Sequence, residues 1–304
     1  MTTEPSGRQF AIAWRHLAAT VVEVGGGLRS LTVGGRPLIE AYAAHAICDG
    51  AHGAILAPWP NRLADGRYRV GDVEYQLDLS EPARHNAIHG LVRWRAWRLV
   101  RREAHRVVVG IRLHPTPGYP FCLDLRADYA LGEGGLAVTI TARNAGQAVL
   151  PYALGQHPYL FAGDGGVDAA RLTFAAGTRL VADLERRVPV GREAVAGTAF
   201  DHRSGRAIGT ARLDEAFTDL ARDEAGRSWV RLTADDGGTA ELWLDRAFAY
   251  LQVYSGDDLA PGRRRRALAV EPMTAPANAL RSGEGLAWLG PGDRHTASWG
   301  LRLR

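Results

Sequence analysis

Short apolar runs broken by glycines dominate the chain. The segment "FAIAWRHLAATVVEVGGGLRSLTVGGRPLIE", residues 10–40, alternates such runs with Gly clusters, the pattern of successive hairpins. "RYRVGDVEYQLDL" carries two alternating segments joined at Gly71-Asp72. The scheme repeats in "WRAWRLVRREAHRVVVGIRLHP", "DLRADYALGEGGLAVTITARNAG", "VRLTADDGGTAELWLD" and "AYLQVYSG". "RRRRALAV", residues 263–270, reads as a strand climbing out of solvent and ending on a lone carboxylate, Glu271, which Pro272 locks in place. No long window keeps a helical apolar period, and helical turns are expected only near 182–187 and 214–221. Turn signals recur too often for a parallel α/β sheet. The pattern predicts one large antiparallel β-domain over residues 1–304, a sandwich rather than a closed barrel.

The chain's 304 residues are enough to bury a core without disulfides or metal. All 37 basic residues are arginine, and they are scattered among 33 acids, leaving a net charge of +4. So small an excess gives no footprint for nucleic acid. Cys48 and Cys122 have neither metal-ligand spacing nor a disulfide framework. The first residues, "MTTEPSGRQF", lack a leader's basic start and apolar stretch, and no apolar run is long enough to cross a bilayer. These features lead us to expect a soluble cytoplasmic protein, monomer or homodimer, without a membrane partner.

Four motifs carry candidate chemistry. "APWPNRLADGRYRVG" offers Arg62, whose rigid fork of donors suits hydroxyl or carboxylate oxygens. "HNAIHGLVRWRAW" holds His85 and His89, the latter before a glycine that lets backbone and ligand approach. "LPYALGQHPYLF" sets His157 between an apolar strand and a proline, with Tyr159 and Phe161 expected to wall a pocket. "RLDEAFTDL" pairs Asp214 with Glu215. Taken singly, each has a plainer reading as a solvated or core side chain. His52, His85, His89 and His157 form no metal-ligand pattern. No phosphate loop, dinucleotide fingerprint or Gly-x-Ser-x-Gly elbow is present.

In their order along the chain, "NRLADGRYRVGDVEYQLDLSEPARHNAIHGLVRWRAW", "YALGQHPYL", "LDEAF", "LQVYSGD" and "AVEPMTAPANAL" resemble the aldose 1-epimerase (galactose mutarotase) family, from about Gly25 to the C-terminus. The similarity is to its shorter bacterial branch. The resemblance implies a β-supersandwich and cofactor-free interconversion of the α and β anomers of a free sugar. It implies Glu271 as general base on the anomeric hydroxyl and His157 as general acid on the ring oxygen. Arg62, His89 and Asp214 would hold the sugar. Two departures bear on the sugar: one glycine, not two, follows His89, and "PMTAPAN" lacks the Gln and Asp of longer members. A neutral hexose is the expected substrate, with "PGRRRR" a solvated loop. The alternatives are a hexose 6-phosphate, a sulfonated hexose, or a non-catalytic sugar-binding protein on the same fold.

Overall fold

A computed structural model describes residues 4–304. It is built almost wholly of antiparallel strands, and the two α-helices among the described residues, Gly166–Ala169 and Ala279–Ser282, have four residues each. A nine-stranded sheet runs in the order Arg98–Arg102, Arg106–Leu113, Leu123–Gly132, Gly135–Asn144, Arg294–Leu303, Thr239–Leu244, Ser228–Thr233, Arg171–Phe174 and Arg206–Ala207. An eight-stranded sheet has Pro189–Ala194, Ala176–Ala182, Asp214–Leu220, Tyr250–Tyr254 and Ala267–Met273 in sequence, then Gly155–Gln156 and Ile55–Leu56, with Tyr159–Phe161 also on Ala267–Met273. Residues 9–37 add a four-stranded sheet.

The alternation read from the sequence is the alternation of burial. In Leu123–Gly132 every second residue is buried, as a strand with one face on a core requires. Inward residues of both large sheets, among them Val138, Trp299, Phe217 and Val270, share one apolar core. The architecture is therefore the expected all-β sandwich. "GD" at 71–72 turns the hairpin Arg67–Val70 to Val73–Gln76 as anticipated.

Two local expectations are corrected and one is met. Residues 214–220 form a strand, not a helical turn: Asp214–Leu220 is paired on both sides, and that ladder overrides any local helical preference. Near 182–187 the chain does make a turn, closed by Arg187 N–H on the Asp183 carbonyl. The strand carrying Glu271 starts at Ala267, after the four arginines, and continues through Pro272 to Met273. Pro272 is tolerated there because the ladder on one side is interrupted. Gly155 pairs with Met273 and Tyr159–Phe161 with Ala267–Ala269, leaving a gap between them.

Candidate active site

That interruption positions the first pair of side chains. His157 and Pro158 span the gap between the two short strands, opposite the stretch that holds Glu271. His157 is pinned by backbone bonds in both directions, its N–H on the Ala54 carbonyl and its carbonyl accepting from Gly53 N–H. Its neighbour Gln156 is fully buried and ties the two sheets together. Gln156 donates to Tyr129 Oη (3.0 Å) and accepts from Trp299 Nε1 (2.8 Å). The result is His157 Nε2 at 3.2 Å from Glu271 Oε1.

Both groups are nearly sealed, at 4% and 2% exposure. Burial drives each toward its neutral form: the His157 imidazole is held below the usual histidine range, with His52 adding to the effect. The Glu271 carboxyl is pushed well above the usual range by burial and by Asp214, against the pull of Arg62. Glu271 Oε2 and His157 Nδ1 are buried and make no hydrogen bond within the protein. Rings stack behind them. His52 lies on Tyr159 with centroids 3.7 Å apart, and Tyr159 on His157 at 4.9 Å.

The remaining predicted residues converge on the same cleft of about 300 Å³, which Arg62, His89, His157, Asp214 and Glu271 all line. Arg62 opens the strand Arg62–Ala64, paired with Asn86–Ile88, and so faces the loop that carries His89. Its guanidinium is gripped by Glu81, with Nε 2.9 Å from Oε2 and Nη2 3.1 Å from Oε1, and Nη1 lies 3.8 Å from Asp214 Oδ2. Asp214 accepts from Gln252 Nε2 at 2.7 Å, and Gln252 sits directly across the ladder from Glu271. Asn278, in the loop after Glu271, donates its N–H to the Arg62 carbonyl and accepts from Ala64 N–H. That loop therefore braces Arg62.

His89 has a positive φ of 64°, with its ring edge-on to His157 at 5.4 Å. Burial, then His157, Arg93 and Arg62, hold it well below the usual histidine range, so it is neutral at pH 7. Gly90 is required for close approach, but to backbone: a Cβ there would lie 2.1 Å from the Ala57 carbonyl oxygen. Glu215 points away from the cleft, onto Arg179 at 2.5 Å. Phe161 lies outside the cleft, beside Arg36 and Asp235, because it sits about 7 Å farther along the strand than Tyr159. His85 is exposed and contacts Asp65. Glu81, Arg93, Tyr254 and His52 were not anticipated in or behind the site. Among the described residues no group of three or more His, Cys, Asp or Glu is placed to hold a metal ion. No helix among them is long and apolar enough to cross a membrane.

A family model described as "Aldose 1-epimerase" matches residues 9–302. "Uncharacterized protein YihR" of Escherichia coli (strain K12) is 33% identical over 291 residues, covering 95% of this chain and 91% of that protein. Human galactose mutarotase is 34% identical over 169 residues, 52% of this chain and 46% of its own length, so only about half of each is compared. The GalM/aldose epimerase homologue from C. elegans superposes with a TM-score of 0.85 at 19% identity, over 98% of both chains. Galactose 1-epimerase from Lactobacillus acidophilus NCFM superposes with a TM-score of 0.80 at 21% identity, over 95% and 91%. These two likenesses concern the fold.

Proposed function

The chain belongs to the aldose 1-epimerase family, and from that premise we propose that it interconverts the α and β anomers of a free aldose without a cofactor, as a single domain. The observation that carries this reading is the buried contact of His157 with Glu271 at the floor of a cleft whose other polar groups suit sugar hydroxyls.

A hemiacetal hydroxyl is a weak acid and its ring oxygen a weak base. Two positioned groups must therefore move protons together, each transfer contributing about 10²–10⁴-fold. Glu271 takes the proton of the anomeric hydroxyl, and His157 gives one to the ring oxygen. The bond from C1 to the ring oxygen breaks as the C1 carbonyl forms. Rotation about C1–C2 presents the other face of the aldehyde, and closure reverses both transfers.

These roles start from a carboxylate and an imidazolium, whereas burial favours the neutral pair. The 3.2 Å contact lets one proton pass between the partners without leaving the site. A sugar hydroxyl donating to Oε2, which the protein leaves without a partner, favours the carboxylate form. Arg62, 3.8 Å from Asp214, favours it further as the strongest cationic influence on Glu271. Neutral His89 hydrogen-bonds the ring region, and Arg62 and Asp214 hold hydroxyls.

The test is polarimetry of a freshly dissolved α-aldose. The protein should speed relaxation to the anomeric equilibrium, equally with and without a chelator. Relaxation at the buffer rate across neutral and anionic hexoses would leave a sugar-binding protein as the surviving reading.

A further inference from the structure

Three arginines line the cleft, and they are not equivalent. Arg62 is spent on Glu81 and faces Asp214. Arg84 gives Nη1 to the Glu185 carbonyl at 2.7 Å and lies 3.7 Å from Glu81. Arg93 has no carboxylate within ion-pair distance and no side-chain hydrogen bond among the described residues; its guanidinium lies 5.2 Å from the centre of the Trp94 ring. It is nonetheless partly buried, on the loop four residues beyond His89. A partly buried cation without a partner is costly, and the cost is recovered only if a partner arrives. Burial pulls its pKa down, and its charge is felt at both His89 and His157, so it acts on the cleft interior.

The arginine run at 263–266 does not supply this charge. Arg263 is bound to Asp49 at 2.9 Å, Arg265 to Asp168 and Asp257, and Arg266 lies 3.5 Å from Glu40. None of the four lines the cleft. The expectation of a solvated loop is thus half right: Arg264 and Arg266 are exposed, while Arg263 and Arg265 staple the turn to its neighbours.

We propose that the preferred sugar carries an anionic group, a phosphate, sulfonate or carboxylate, on a carbon other than C1, and that Arg93 holds it. This rests on the mutarotase reading, because C1 must stay free for ring opening. It replaces the neutral hexose expected from the sequence. A guanidinium fork takes two oxygens of such a group at once, with the directionality a fixed pocket needs.

The experiment is anomer-exchange NMR on wild-type protein with glucose, glucose 6-phosphate, 6-deoxy-6-sulfoglucose and glucuronate, which separates the three anions. At least one anionic sugar should exceed glucose in kcat/KM by tenfold or more, about 1.4 kcal/mol in transition-state binding. Raised salt should shrink that advantage. Arg93→Gln should collapse the anionic-to-neutral ratio, Arg93→Lys should keep part of it, and Arg264→Gln, exposed and outside the cleft, should leave it intact. Equal kcat/KM for neutral and anionic sugars in the wild type overturns the anion assignment and leaves the mutarotase reading standing. An equal loss on both sugar types in Arg93→Gln does the same. No exchange on any sugar removes the mutarotase reading and the assignment with it.

Discussion

Glu81 holds two donors of Arg62, and Gln252 holds one oxygen of Asp214, so these two cleft residues meet a ligand already oriented. Contacts to sugar hydroxyls that keep their protons through ring opening are made in ground state and transition state alike. Asp214→Ala should therefore raise KM by roughly tenfold or more, the scale of a lost charge-assisted hydrogen bond, with kcat changing far less. Arg62→Met should raise KM as much and also lower kcat, because it removes the cation that favours the Glu271 carboxylate. Steady-state kinetics on one sugar decides it. Equal falls in kcat and kcat/KM for Asp214→Ala would mean that Asp214 acts only in the transition state. The five residues expected at the site, all of which line the cleft, were legible from motif context, because each sits in a distinctive local string such as "NAIHG" or "GQHPY". Glu81 and Arg93 were not. Glu81 reaches Arg62 across 19 positions of chain, and the value of Arg93 lies in its lack of a partner, which only the folded chain displays.

The elements that aim the site are unequal in length. Ala267–Met273 is buried along its whole length and paired to Tyr250–Tyr254, whereas the chain across from it is cut into Gly155–Gln156 and Tyr159–Phe161. The sequence shows the apolar run and the prolines. It does not show that Pro158 and Pro272 both fall within one ladder gap, because register between distant strands is set by tertiary pairing. The mistaken helical turn at 214–221 has the same origin: "DEAFTDL" becomes a strand because two neighbours pair with it. Gln156 is the element-level anchor, joining the His157 segment to Trp299 and Tyr129 of the opposite sheet. Gln156→Leu strands the indole N–H of Trp299 in the core. A buried polar group left unpaired costs about 1–3 kcal/mol, so urea unfolding should show a loss of that size. An unchanged midpoint would show that the Gln156 bridge is not what joins the sheets there.

At the scale of the whole molecule, buried histidines set the response to acid. Burial lowers His157 and His89, and it lowers His52 to about 4. Below about pH 6.5 the unfolded chain takes up protons that these rings refuse, so their contribution, full above 6.5, is lost as pH falls toward 4. Each such proton contributes about 1.4 kcal/mol per pH unit, and raised Glu271 offsets one of them, because above about pH 4.5 it keeps a proton that the unfolded chain releases. The urea midpoint should fall clearly between pH 7 and pH 5. A flat or rising midpoint would mean that these rings charge in the native state. The central claim, that His157 and Glu271 move the protons of anomer exchange, is tested most directly by exchange NMR on wild type, Glu271→Gln and His157→Asn with the best sugar of the panel. Both variants should fold, bind the sugar and lose about 10²-fold or more in kcat, because neither amide can carry the proton. Either variant retaining near wild-type kcat would contradict the assignment.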